Sequence, residues 1–129
     1  MTCRKLFAWE EKVWGSVAHL FLNDRVAISH LRVNAGFRCS RHYHRQRANQ
    51  FSVLSGRIAV DEFDCFGVDH STVLGPGESF TVPSGIVHQF RVLEVGEVVE
   101  VYWADRVGGS VDQYDIVRLD EGGPDFQQV

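Results

Sequence analysis

Paired cysteines, long apolar runs and helical periodicity are all missing from this chain of 129 residues, and each absence excludes a class of protein. Its three cysteines, at 3, 39 and 65, are odd in number and unrelated in spacing. They read as free thiols of a reducing compartment, not as a disulfide framework. There is no CxxC pair, which removes zinc ribbons and thioredoxin-type chemistry. No window approaches the roughly 18 uninterrupted apolar residues of a membrane-spanning helix. The start, Met1-Thr2-Cys3-Arg4-Lys5-Leu6, holds a basic pair with no long apolar stretch behind it. Glu10, Glu11 and Lys12 follow too early for a secretory leader, so a cytoplasmic protein is expected. No stretch sustains a helical moment over three turns, and only the first dozen residues leave room for a short helix. Internal repeats and low-complexity linkers are also lacking.

Acids are missing from one region only. Between Arg25 and Arg57 stand seven arginines (25, 32, 38, 41, 45, 47 and 57) and no Asp or Glu. The chain as a whole carries 13 Lys+Arg against 17 Asp+Glu, a net charge of −4. The middle third is therefore +7 and the remainder −11. The overall balance argues against a nucleic-acid partner or a basic membrane tail. A length of 129 residues suits a single domain able to bury its own core without disulfides.

What is present is strand periodicity. Segments 17–22, 25–33, 51–54, 58–63, 79–82, 87–92 and 98–103 are short and rich in β-branched and aromatic residues. Turn formers separate them, among them Asn34-Ala35-Gly36, Ser55-Gly56, Gly75-Pro76-Gly77 and Pro83-Ser84-Gly85. Many short strands at this spacing predict an all-β antiparallel sandwich or barrel. Phe51, Val53, Phe80, Val82 and Phe90 are expected to line its core. The segment 120–129, with Gly122-Gly123-Pro124, is expected to be a flexible tail.

Three of the six histidines stand out. His42 and His44 are two apart on an extended segment, so both side chains point the same way. His88 follows the Pro83-Ser84-Gly85 turn. Three neutral imidazoles can ligate Zn, Ni, Cu, Fe or Mn, and ligand type alone does not choose among them. The alternative is a pair of surface histidines beside Tyr43. His19, His30 and His70 have no motif around them and read as surface or core-edge residues. Arg41 and Cys39 alternate with the histidine face and are expected to point away.

The turns around these histidines form two patterns. From Gly36 to Gly56 the chain reads G-x5-H-x-H-x4-N-x6-G, and from Gly77 to His88 it reads G-x5-P-x-G-x2-H. These blocks resemble the two signature motifs of the cupin superfamily, which implies a double-stranded β-helix, or jelly-roll, barrel. The wider set resembles the type II mannose-6-phosphate-isomerase-like cupins. It comprises Trp14-Gly15, Ser40-x-His42-x-His44, Phe51-x-Val53-Leu54-Ser55-Gly56, Leu74-Gly75-Pro76-Gly77-Glu78, Pro83-x-Gly85-x2-His88 and Asp115-Ile116-Val117-Arg118-Leu119. That resemblance spans about 14–119, the expected barrel core of a single domain 1–129. It implies a divalent transition metal (Zn, Mn, Ni or Fe) and a phosphorylated sugar as ligand. It further implies an aldose–ketose isomerase and a homodimer.

The pattern breaks at Asn49, where the family places a glutamate that joins the three histidines on the metal. Several readings compete. The metal binds through His42, His44, His88 and the Asn49 oxygen, or through the histidines and water. Alternatively Gln50 reaches in after a local bulge. Or the metal has been lost and the histidines hydrogen-bond a ligand directly. Arg38, Arg45 and Arg47 flank the histidine pair and suit phosphate or carboxylate through their two-pronged guanidinium. Against that stands a solvated or dimer-contact face. Glu100 and Tyr102 share one strand face, which the resemblance turns into the barrel. Glu100 is the candidate base for moving a proton between adjacent carbons, unless it merely pairs with an arginine. Three functions remain: the isomerase, a non-catalytic module binding a small anion, and a metal-dependent dioxygenase.

Overall fold

The computed structural model describes residues 4–125. Among them every regular element is a strand, as the period-two alternation of buried and exposed side chains requires. The strands are β1 (Trp9–Lys12), β2 (Gly15–Leu22), β3 (Val26–Val33), β4 (Phe37–Arg38), β5 (His42–Tyr43), β6 (Arg47–Asp64), β7 (Gly67–Leu74), β8 (Ser79–Val82), β9 (Val87–Ala104), β10 (Val117–Arg118) and β11 (Gly123–Pro124). The room for an N-terminal helix is taken instead by β1, which pairs antiparallel with β2. Residues 1–3 lie outside the described range. No helix of the described residues is long and apolar enough to cross a membrane.

Two strands organise the barrel. β6 and β9 are 18 residues each and pair with one another along most of their length. The sequence reads each as two strands, because Ser55-Gly56 looks like a turn and 93–97 falls between two expected strands. They are corners. The register shifts between Val53 and Ile58, and there the chain passes from one wall of the barrel to the other. Gly56 takes a φ of 78°, and a Cβ on it would lie 2.5 Å from the Val95 carbonyl oxygen. A Cβ on Gly96 would collide with the Ser55 carbonyl. Only glycine lets the two backbones approach this closely.

One wall joins β1, β2, β3, the second half of β9, the first half of β6 and β8. The other joins β4 and β5, the first half of β9, the second half of β6 and β7. β10 and β11 cover β5 and β4 respectively. The result is the expected jelly roll, closed around Leu31, Phe51, Val53, Ile58, Val60, Val82, Phe90 and Val92. Trp14 and Phe80 pack on the edge of this cluster, and Trp14 meets Phe90 edge-to-face at 5.0 Å.

The segment expected to be a flexible tail is held down as far as it is described. Gly123–Pro124 pairs with β4. Asp120 accepts hydrogen bonds from the Arg41 main-chain N–H at 2.6 Å and from Arg38 at 3.3 Å. Asp125, 6% exposed, lies 3.7 Å from Arg91. Turn-like composition in 120–125 thus marks a strap paired to the barrel, because its acids meet arginines. Residues 126–129 lie outside the described range.

Candidate metal centre and its cavity

The three motif histidines meet. β5 and β9 pair so that His42 stands directly opposite His88, with ring centroids 4.6 Å apart. His44 lies 5.0 Å from His42 and 5.4 Å from His88. One nitrogen from each ring comes within 4.8 Å of the others. The Pro83-Ser84-Gly85 turn sets this up, since the Gly85 N–H donates to the His44 carbonyl at 2.7 Å. That bond clamps the loop before β9 to the strand bearing the other two rings.

Each ring is fixed in the same way. The Nδ1 of His42 bonds the Ser40 carbonyl at 2.7 Å, that of His44 the Asp115 carbonyl at 2.7 Å, and that of His88 the Ile86 carbonyl at 2.8 Å. A carbonyl only accepts, so all three Nδ1 atoms carry the proton and the Nε2 lone pairs are free to ligate. Arg47 Nε also approaches His44 Nδ1, at 3.3 Å. Both groups there are donors, and the shorter carbonyl contact decides the tautomer. Burial lowers all three pKa values. His42 falls to about 2, helped by the neighbouring imidazoles. His44 falls to about 3, with the Arg47 charge adding to burial, and His88 to about 4. Neutral rings are what a metal needs.

Asn49 lies on β6. It is fully buried, and its Nδ2 donates to Glu100 Oε2 at 3.0 Å. Its Oδ1, with the Nε2 atoms of His44 and His88, is buried without a hydrogen-bond partner among the described residues. Orphaned buried acceptors are costly and rare in folded proteins. Three neutral nitrogens and one amide oxygen fit a divalent transition metal. His42, His44, His88 and Asn49 are the residues that would hold it.

The group opens on a cavity of about 810 Å3. Glu100, Tyr102 and Arg47 line it alongside His42. Cross-strand register explains their meeting. Asn49 stands opposite Tyr102 and Arg47 opposite Ala104, so each reaches the diagonal neighbour two residues back. Asn49 thus meets Glu100, and Arg47 lies 4.0 Å over the Tyr102 ring. Burial raises the Glu100 pKa against the opposing pull of Tyr102, Asn49 and Arg47. Burial and the Glu100 charge raise that of Tyr102.

Other nominated residues lie elsewhere. Arg38 pairs with Asp120, because residues 39–41 form no regular strand and the assumed alternation fails there. Arg45 is exposed, and only its main-chain N–H is engaged, by Asp115 at 2.8 Å. Gln50 follows Asn49 on a stretch of β6 without a bulge, so its side chain turns to the opposite face. Arg41 stacks on Phe63 at 4.0 Å, away from the cavity. Cys39 does line the cavity, but burial pushes its thiol to about 12, which leaves it inert as a ligand.

Some lining residues carried no signal in the sequence. Arg118 stands opposite His42 across β10 and β5, and Tyr114 and Gln113 reach the cavity from the same strap. His19, read as a surface or core-edge residue, is exposed as expected and also lines the cavity, where it bonds Ser29 at 3.1 Å. Long-range pairing alone brings these residues in.

Comparison with known proteins gives the family. The cupin domain model matches residues 29–104, more than half of the chain and the whole of the histidine group. The chain belongs to the cupin family. Among solved structures this cupin superposes on a variant of oxalate decarboxylase from Bacillus subtilis with a TM-score of 0.70 at 21% identity, covering 88% of this chain and 30% of that one. It superposes on CapF, solved with the inhibitor 3-isopropenyl-tropolone, with a TM-score of 0.72 at 19% identity, covering 91% of this chain and 35% of that one. The cupin thus spans about a third of the length of either protein, and at these identities the likeness is one of fold. Oxalate decarboxylase of B. subtilis has Mn(II) centres. No sequence match is found among curated proteins.

Proposed function

We propose that this cupin is a metal-dependent enzyme that moves a proton on a small phosphorylated sugar, in the manner of an aldose–ketose isomerase. The observation that carries the reading is Glu100. It is 9% exposed, lines the same cavity as His42 and has a raised pKa. A carboxyl poised above its ordinary range, and held on one side by Asn49, suits a group that takes a proton from one carbon and returns it to the next. Arg47 supplies a buried cation for an anionic group of the ligand. Tyr102 holds the guanidinium flat, and its hydroxyl pulls the Glu100 pKa down against burial. When bound, a divalent metal supplies Lewis acidity toward the substrate's oxygens. The sugar-phosphate class rests on the near full-length motif resemblance and on a cavity of suitable size. A homodimer through β1, whose outer edge has no strand partner among the described residues, belongs to the same proposal.

A second reading is favoured by Asn49 itself. An amide at that position offers a metal no charge, which suits a binding module without turnover. Incubation with mannose 6-phosphate and fructose 6-phosphate, after loading with Mn, Zn, Ni or Fe, separates the two. Interconversion that falls about 100-fold or more in Glu100→Gln supports the isomerase. Stabilisation by the sugar phosphates without turnover supports the binding module.

A further inference from the structure

The inner end of the cavity has an unusual charge inventory. The donors that would hold a metal are neutral: the Nδ1 protons of His42, His44 and His88 are donated to carbonyls, and the candidate fourth donor is the Asn49 amide oxygen, buried without a hydrogen-bond partner among the described residues. Glu100, the nearest carboxyl, already accepts from the Asn49 Nδ2 and lies outside the group of atoms that converge. Arg47 is 6% exposed. Its Nε meets a ring nitrogen that is itself a donor, and no carboxylate lies within 4.0 Å of its guanidinium among the described residues. Of the seven arginines in the acid-free stretch, only this one lines the cavity.

A dication among neutral donors beside a buried, carboxylate-free guanidinium leaves excess positive charge where water screens poorly. In a protein with an acid at position 49 part of that charge would be met by the chain. Here position 49 does not supply it, and Glu100 is the one buried carboxyl lining the cavity among the described residues that is left to meet it. We propose that a small oxyanion, a carboxylate or a phosphate monoester, docks on Arg47 and supplies the charge that position 49 lacks, so that metal and anion bind with mutual dependence. The inference rests on the reading that the histidine group holds a metal. By linkage, the factor by which the anion tightens the metal is the factor by which the metal tightens the anion. Arg47 is suited to the task because the Tyr102 ring fixes its plane, leaving its terminal N–H groups to grip two oxygens.

The test uses untagged, chelator-treated protein titrated with Co2+, read by calorimetry and by the visible absorption of the bound ion. Parallel titrations contain sodium acetate, methyl phosphate, or chloride at equal ionic strength. Co2+ is expected to bind about tenfold or more tightly with at least one of the two anions than with chloride, and comparison of the two arms names the group preferred. Arg47→Met is expected to reduce that gain to about twofold or less. Asn49→Asp, nearly isosteric, is expected to tighten Co2+ in chloride and shrink the gain, which tests the inference independently if Arg47→Met does not fold. Co2+ binding that is indifferent to both anions overturns the inference and leaves the metal reading standing. So does a full gain that survives in Arg47→Met. Absence of Co2+ binding under every condition overturns both.

Discussion

The main-chain carbonyl of Asp115 accepts the Nδ1 proton of His44 at 2.7 Å across 71 residues of sequence. The same residue's carboxylate accepts the main-chain N–H groups of Arg45 and Gln46 at 2.8 and 2.9 Å. One residue of the strap after β9 therefore fixes both the turn behind the histidine pair and the tautomer of one proposed ligand.

Asp115→Ala should loosen that strap. Losing two charge-assisted hydrogen bonds is expected to cost about 2 kcal/mol of stability. Metal affinity is expected to fall about tenfold, as when a supporting residue of a ligand is lost. Urea unfolding and metal titration of the same preparation check the two effects. An unchanged metal affinity would mean that the strap does not order His44.

Asp61 predicts an acid limit. It is 1% exposed and accepts from Ser71, Gln89 and Arg91, with Arg91 Nε at 2.7 Å. Burial pushes its pKa up, but the hydrogen bonds outweigh burial and the net shift is downward from 3.8. The unfolded chain thus takes up the proton first as pH falls. The stability contributed by Asp61 is present above its unfolded value and is lost as pH drops below about 4 toward the lower folded value. Asp61→Asn is expected to lose about 3 kcal/mol at pH 7, since Arg91 loses its shortest and best-buried carboxylate partner and keeps Ser71 at 3.3 Å and Asp125. The variant should also show a flatter stability profile below pH 4. Equal acid sensitivity in both proteins would assign the limit to other carboxylates.

The strap beyond Leu119 contributes to the fold. Ending the chain after Leu119 removes the Asp120 bonds, the β11 pairing and the Asp125 contact to Arg91. A loss of about 2–4 kcal/mol is expected in chemical denaturation. A truncated protein as stable as the full chain would show that these contacts are offset by the entropy of ordering the strap.

The thiols should separate by reactivity. Cys65 is exposed and Cys39 buried, with burial raising Cys39 to about 12. Iodoacetamide treatment followed by peptide mass analysis is expected to modify Cys65 in the native protein and Cys39 only after unfolding. Comparable native labelling of Cys39 would imply that the cavity wall opens.

The fold was legible because its signals are local. Period-two alternation, two spaced motifs and Gly-rich turns do not depend on distant partners. Reading failed where a local signal has two meanings. Gly56 looks like part of a turn and Gly96 falls between two expected strands, yet they are corners within β6 and β9. β4, β5, β10 and β11 are two residues each, too short to show any period.

The candidate site divides in the same way. The sequence by itself determined the chemistry on offer: three imidazoles, an amide in place of an acid at 49, and an arginine-rich stretch without carboxylates. The histidine pair shares a face because strand geometry demands it, and the Pro-Gly turn presents His88 for a local reason. Only the tertiary structure decided which charges meet. Six of the seven arginines in the acid-free stretch leave the cavity, three of them to acids far away in sequence, Arg32 to Glu97, Arg38 to Asp120 and Arg57 to Glu94. Arg47 stays because diagonal pairing across β6 and β9 lays it on Tyr102. Side-chain direction follows from the strand's own residues, whereas electrostatic partnership depends on which distant segments are folded alongside, and no count along the chain contains that.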